Sequence, residues 1–254
     1  MRKIVVYTCV TGAYDAPKRP SALPAGADYV CFTPDAESCP PGAPEGMDLD
    51  DQMLSRWYKL NPHLLFPDYE YSLWIDGNID LLGGELFATI EEQTARGVLY
   101  SGIRHPERDD VYAESYRILA NGRDVARRLR RTVRFLRSEG FPRHAGLMEN
   151  NVILRRHNDP AVVSFDELWW SLMLRYSHRD QMTQGYCLRK CGIEPSYLIP
   201  EGFSARNHPS FAYTGHGPVY VKDRSLRGLA RDGMTVLRKF FYRLFLRCHS
   251  LSSR

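Results

Sequence analysis

The residues best suited to chemistry lie in the run SLWIDGNIDL. Large apolar residues stop abruptly at Asp76, which is followed by Gly77 and Asn78. Two oxygen-bearing side chains one residue apart can share a hard divalent cation, and the glycine lets the backbone come close. Such a cation would bind a diphosphate and offset charge on a departing nucleotide. Asp-Gly-Asn also makes a tight turn after a strand, so both readings stand here. Arg56 and Lys59, three residues apart, share one face of a predicted helix. They could meet phosphate oxygens or simply form a solvated face.

Three further clusters carry similar alternatives. Thr11-Gly12-Ala13-Tyr14-Asp15 follows the first predicted strand and offers donors and a ring suited to a nucleoside, or a plain strand-to-loop turn. Arg179-Asp180-Gln181 places a carboxylate where it could cap a helix or be partly desolvated for catalysis. Glu149-Asn150-Asn151 offers an acid and amides for sugar hydroxyls, or a polar turn before a strand. The eight histidines form no H-E-x-x-H or paired metal signature. Neither a Walker loop, a G-x-G-x-x-G fingerprint nor a G-x-S-x-G elbow is present.

These residues need a scaffold. Lys3 to Val10 and Tyr29 to Thr33 read as strands, and the second runs into the Pro-rich loop PDAESCPPGAPEG. Met53, Leu54, Trp57, Leu60, Leu64 and Leu65 recur at helical spacing, with Asp50 or Asp51 as cap. Tyr69 to Ile75 is strand-like, ELFATIEEQTA helical, and VLYSG a strand. Val111 to Ser138 is helical and rich in arginine, which reads as a solvated face able to meet an anionic acceptor. Asn151 to Arg155 is a strand, followed by helices over Ala161 to Tyr176 and Asp180 to Lys190. The alternation over the first hundred residues predicts an α/β fold with a doubly wound parallel sheet. At such a sheet, ligands sit beyond the carboxyl ends of the strands, where Asp76 and Asn78 project.

The chain has 254 residues, 43% hydrophobic and 25% charged, which excludes long disorder and a bare coiled coil. The net charge of +4 is uneven. Lys222 to Arg254 holds nine basic and two acidic residues, so residues 1–221 carry −3, which argues against a nucleic-acid-binding body. Residues 1–221 are expected to form the domain and 222–254 a basic tail. Within it, Met234 to His249 predicts an amphipathic helix, suited to a membrane surface or to packing on the body or a second subunit. Six sparse cysteines read as free thiols. The first residues read as a strand rather than a signal peptide, which predicts a cytoplasmic protein, peripheral on the inner membrane face where the tail binds it.

Taken together, YTCVTGAYD, YVCFTPD, RWYKLNPHLLFPDYEYSLWIDGNIDL, HPERDDVYAE, GLMENNVILRRHNDP and LWWSLMLRYSHRDQMTQGYCL resemble, in order, a glycosyltransferase-like family once catalogued as a domain of unknown function. Its members include bacterial surface-polysaccharide proteins and plant proteins linked to pectin and mucilage. The similarity spans about Lys3 to His216. It implies a GT-A-like (Rossmann-like) fold with a mixed, mostly parallel sheet flanked by helices, a sugar-nucleotide donor, and Mn²⁺ or Mg²⁺. On this resemblance Asp76-Gly77-Asn78 replaces the D-x-D metal motif, with an amide for the second carboxylate. His216, or else His208, would be a third metal ligand. Thr8, Thr11, Gly12, Tyr14 and Asp15 would line the nucleoside pocket, with Thr33 and Asp35 at its edge. Arg56 and Lys59 would face the diphosphate, while His105 and Arg108 would lie near donor or acceptor. Arg179-Asp180-Gln181 resembles the D-Q element that contacts the donor sugar in glycogenin-like enzymes. Glu149-Asn150 departs from the family's Glu-Thr.

The expected function is metal-dependent hexosyl transfer from a nucleoside-diphosphate sugar, a UDP-sugar for preference, to a glycan or lipid-linked glycan, in bacterial surface polysaccharide synthesis. Asp180 or Glu149 would serve as base in an inverting enzyme, and Asp180 would flank the anomeric carbon in a retaining one. The alternative is a non-catalytic module that holds a nucleotide or glycan. A nucleotidyltransferase lacks its Gly-rich, basic signature.

Overall fold

A computed structural model describes residues 3–12, 15–34 and 47–214. Tyr14, Asp35, His216, most of the Pro-rich loop and the whole basic tail lie outside the described residues. So do Cys39 and Cys248, while Cys9, Cys31, Cys187 and Cys191 are free thiols.

Eight strands and seven helices follow in chain order among the described residues: β1 Ile4–Cys9, β2 Asp28–Phe32, α1 Asp51–Leu60, α2 Pro62–Leu65, β3 Tyr71–Ile75, β4 Ile79–Leu81, α3 Glu85–Ala95, β5 Tyr100–Arg104, α4 Val111–Ala120, α5 Ala126–Ser138, β6 Met148–Arg155, α6 Pro160–Arg175, α7 Gln184–Lys190, β7 Ser196–Tyr197 and β8 Phe211–Tyr213. A 3-10 turn spans Asp180–Met182. Six strands form one sheet in the order β2-β1-β3-β6-β5-β7, and β4 pairs with β8 in a separate ribbon.

The sheet is mixed and mostly parallel, as expected, and one strand sets it apart from a wholly parallel, doubly wound sheet. β6 runs antiparallel to both neighbours, β3 and β5. Two helices stand between β5 and β6, where a parallel crossover commonly has one. The chain comes back to the edge it left, so His105 N–H donates to the Leu147 carbonyl at 2.8 Å. Every residue of β6 is buried, and that is why its sequence reads like a parallel core strand whatever its direction.

Alternation along the strands divides the core into two layers. Val5, Tyr7, Trp74, Tyr100 and Ile153 face α1 and α6. Ile4, Val6, Leu73, Ile75, Val152 and Leu154 face α3 and the ribbon. Helix α1 is capped by Asp50, whose carboxylate accepts from Met53 N–H at 2.8 Å. It buries Met53, Leu54, Trp57 and Leu60, each contributing roughly 1.5–3 kcal/mol. Asn61-Pro62 ends it, so the apolar periodicity through Leu65 is two helices rather than one. The arginine-rich segment also divides, at residues 121–125, and in α5 only Leu129, Thr132 and Leu136 are buried. No helix among the described residues is long and apolar enough to cross a membrane.

His157, at the end of β6, is buried and donates from Nε2 to the Phe66 carbonyl at 2.9 Å. Burial holds its imidazole down at about 4. Below about pH 6.5 the unfolded chain takes up a proton that the folded chain refuses until near pH 4, so acid weakens folding across that window. The unfolding free energy from urea titrations should therefore fall between pH 6.5 and 5, with His157 contributing up to about 1.4 kcal/mol per pH unit. His157→Gln should reduce that slope by its own share, leaving the share of His105, which burial holds down at about 4 as well, and an unchanged slope would remove His157 as a source.

Candidate active site

The C-terminal ends of β1, β2, β3 and β5 share one edge of the sheet, because these strands run the same way. Thr11 and Gly12, Asp15, Thr33, Asp76 to Asn78, and His105 and Arg108 all follow those ends. These residues thus converge on one side of the molecule, as the carboxyl-end rule requires.

Asp76 stands one residue beyond β3. Period two puts it on the same face as Trp74, toward α1. Trp74 Nε1–H donates to Asp76 Oδ1 at 2.8 Å, and Lys59 Nζ reaches the same oxygen at 3.3 Å. Asp76 N–H bonds to the Asn151 carbonyl at 2.8 Å, and its own carbonyl accepts from Ile79 N–H at 2.9 Å. The tripeptide is therefore a tight turn as well as a presented carboxylate, which is one-third exposed at 32%. A Cβ at Gly77 would meet Val10 Cγ2 at 3.1 Å and Asp15 Oδ2 at 3.5 Å, so Asp15 lies against this turn. At Gly12 (φ +59°) a Cβ would collide with the Asp51 carboxylate, and Thr11 Oγ1 donates to the Asp51 carbonyl at 2.8 Å. The loop after β1 is thereby pressed against the start of α1. Thr8 is buried with an unpartnered hydroxyl, and Thr33 is exposed at the end of β2.

Lys59 corrects the solvated-face alternative outright, being 1% exposed. Its ammonium lies 2.8 Å from Asp180 Oδ2 and 3.3 Å from Asp76 Oδ1, with the Trp74 ring centroid at 5.4 Å. Arg56 Nη1 approaches Asp180 Oδ2 at 3.6 Å. Asp180 caps no regular helix. It lies in the 3-10 turn, its Oδ1 accepting from Gln181 N–H at 3.0 Å and its carbonyl from Trp169 Nε1–H at 3.0 Å. Burial pushes its carboxyl upward, but Arg56, Lys59 and Arg179 outweigh that and hold it well below the usual carboxylate range. Burial pulls Arg179 down, and its Nε is a buried donor with no partner. Gln181 does not face this cluster through its amide nitrogen, which donates to the Met148 carbonyl at 2.8 Å.

A second cluster adjoins the first through β6. Glu149, Asn150 and Asn151 lie inside that strand rather than in a turn before it. Glu149 Oε1 pairs with Arg206 Nη1 at 2.7 Å, and both side-chain polar atoms of Asn150 are buried without partners. His105 Nδ1 accepts from the N–H groups of Glu107 and Arg108, and Arg108 pairs with Glu114 at 2.6 Å. Burial, reinforced by Arg108, holds His105 neutral, down at about 4.

Of the two proposed histidine ligands, only His208 lies among the described residues. In the ribbon, Ile79 faces Tyr213 and Leu81 faces Phe211. His208 lies past the Leu81 end, away from Asp76, with its ring edge-on to Phe203 and its Nδ1 accepting from Ser210 N–H. It is not brought to Asp76. At the near end, Thr214 N–H donates to the Asn78 carbonyl at 3.0 Å, and His216 follows two residues later outside the described segment. Among the described residues, no group of three or more His, Cys, Asp or Glu side chains could hold a metal.

A family model described as TOD1/MUCI70, glycosyltransferase-like domain, matches residues 49–211. The chain belongs to this family. The TOD1/MUCI70 match covers α1, the Asp76 turn, β6 and the Asp180 segment. A probable hexosyltransferase MUCI70 of Arabidopsis thaliana is 30% identical over 149 residues, 56% of this chain. The aligned part is 26% of that relative's length, so the chain corresponds to about a quarter of it. A crystal structure of a glycosyltransferase involved in the glycosylation of the major capsid of PBCV-1 aligns over 91% of this chain and 98% of its own, at 12% identity and TM-score 0.42.

Motif spacing alone left out several residues that build this candidate site: Trp74, Arg206 and the buried Arg155–Asp166 pair. Trp74 stands two residues before Asp76, and that period was the available signal. Asp166 falls at an inward position of α6 between Val162 and Trp169, and a carboxylate there demands a buried cation.

The charge cluster predicts opposite consequences for its two carboxylates. Asp180→Ala leaves buried cations uncompensated and should lower stability by about 3–5 kcal/mol. Asp76→Ala, at the exposed mouth, should cost about 1–2 kcal/mol through the stranded Trp74 N–H. Urea unfolding of both variants checks the order, and a reversal would contradict the placement of Lys59.

Proposed function

We propose that this chain transfers a hexose from a UDP-sugar to a glycan hydroxyl, on a GT-A-like domain. The observation that carries the reading is the buried Lys59 bridging Asp76 and Asp180 at the ends of the strands, with Arg56 and Arg179 beside it. Within this cluster three cations stand against two carboxylates, and the surplus charge favours a diphosphate. The unpartnered Arg179 Nε is a buried donor that a phosphate or sugar oxygen would satisfy.

Departure of the nucleotide is the demanding event, because negative charge accumulates on the diphosphate. Arg56 and Arg179 supply fixed positive charge without rearrangement as it develops. Lys59 fixes the two carboxylates relative to each other. Asp180, ionised and paired, is a poor proton acceptor, since an effective base has a pKa near the working pH. Its role in this reading is electrostatic, beside the anomeric carbon, and Glu149 is likewise committed to Arg206. Thr11, Gly12 and Asp15 border the nucleoside, with Asn150 and Asn151 toward the sugars.

The donor chemistry at the turn suits a hard cation in part. Asp76 offers a partly exposed carboxylate and Asn78 an amide oxygen, and phosphate oxygens and water would complete the set. Mn²⁺ or Mg²⁺ held there would add Lewis-acid charge to the diphosphate. The amide in place of a second carboxylate favours the alternative of a nucleotide-holding module, and turnover separates the two readings.

UDP release from a panel of UDP- and GDP-sugars, with Mn²⁺, Mg²⁺ or EDTA, tests this function. Wild type should turn over one UDP-sugar, and Asp76→Ala should lose about 100-fold or more while remaining folded. EDTA should slow wild type. Tight UDP binding with no turnover of any donor would select the module instead.

A further inference from the structure

A second buried charge pair lies behind the site and ends on Lys59. Arg155 and Asp166 are both fully buried, with Nη1 to Oδ1 at 2.6 Å. The other guanidinium nitrogen, Nη2, donates to Tyr7 OH at 2.8 Å and to the Lys59 carbonyl at 2.5 Å. Tyr7 OH in turn donates to that same carbonyl at 3.1 Å. Three elements meet at one backbone oxygen, β6 through Arg155, β1 through Tyr7 and the last turn of α1 itself, and α6 holds the same guanidinium through Asp166.

We propose that Arg155, Asp166 and Tyr7 are positioning residues that hold Lys59 by its carbonyl so that its ammonium stays between Asp76 and Asp180. The inference rests on the function proposed above and assigns these residues a part in it. The carbonyl belongs to the last turn of α1, where the helix leaves acceptors unpaired and a cation complements the dipole. Asn61 Nδ2 fills the neighbouring need at the Trp57 carbonyl, 2.8 Å away, so the helix end has an ordinary cap as well. The guanidinium is directed at a residue whose side chain enters the site.

Stability alone is a poor reason for this arrangement. Buried ion pairs can be replaced by apolar residues of similar volume with little loss, because desolvation consumes most of the Coulomb gain. Here the pair also keeps two buried atoms unpartnered, Arg155 Nε and Asp166 Oδ2. An unpartnered buried polar atom is destabilising. What the pair supplies that leucine and methionine would not is a fixed direction for the Lys59 backbone. Four side-chain torsions separate that backbone from the ammonium, and a shift of about 1 Å at a charge of this kind lowers rates by about 100-fold.

The double variant Arg155→Met/Asp166→Leu separates positioning from packing. Thermal unfolding, UDP affinity, kcat and KM are measured on it, on Tyr7→Phe and on wild type. The inference expects the double variant to melt near wild type, bind UDP about 10-fold more weakly and lose roughly 10- to 100-fold in kcat. Tyr7→Phe should fold and lose about three- to tenfold in kcat, because the Lys59 carbonyl keeps only its guanidinium. A folded double variant with wild-type kcat and UDP affinity would overturn the proposal. If the double variant does not fold, Tyr7→Phe decides: a loss supports positioning and unchanged turnover overturns it. Wild type without UDP binding would instead remove the function on which the inference rests.

Discussion

A lysine ammonium shut away from water is the constraint around which this molecule is arranged. Lys59 has almost no solvent contact, so its charge must be answered by protein groups, and two carboxylates within 3.3 Å do so. One comes from the end of β3 and the other from the 3-10 turn after α6. Each is then fixed by a tryptophan: Trp74 binds the Asp76 carboxylate, and Trp169 binds the Asp180 carbonyl. Indole N–H groups buried in the core need acceptors, so satisfying them also orients the site. Packing on the α1 face of the sheet and the geometry of the charged edge are therefore one problem with one solution.

The balance of charges decides what that edge can do. Around Asp180, burial and Coulomb attraction oppose each other, and three cations win. A carboxylate held so firmly in its ionised form stabilises positive character and accepts protons poorly. The surplus positive charge lies on Arg56 and Arg179 and invites an anion with several oxygens. His105, kept neutral by burial and by Arg108, adds no further charge to the neighbouring cluster.

Much of this was legible in the residues. The apolar run into Asp76, its period-two partner Trp74, and the three-residue spacing of Arg56 and Lys59 are local patterns, and local patterns survive folding. Asp50 as cap of α1 is of the same kind. What sequence could not show depends on contacts between distant segments. Nothing near Lys59 in the chain tells that it is buried, because its partners lie 17 and 121 residues away. The short ribbon of β4 and β8 escaped for the same reason, being three residues on each side joined across 130 positions. That ribbon, however, is what keeps His208 from the turn, since it sends it to the end far from Asp76.

The reversal of β6 has the largest consequence for the site. In a wholly parallel sheet, the carboxyl ends of strands meet the ligand and the amino ends lie on the opposite edge. A parallel β6 would have carried Glu149, Asn150 and Asn151 away from Asp76. Because the strand runs the other way, its first residues arrive at the same edge as the last residues of β3, and the Asn151 carbonyl takes the Asp76 N–H directly. The same strand ends at Arg155, on the far side, where its guanidinium reaches Lys59 from behind. One antiparallel strand thus delivers polar groups to the open edge and a buried cation to its foundation, which a strand in the common direction would have placed the other way round.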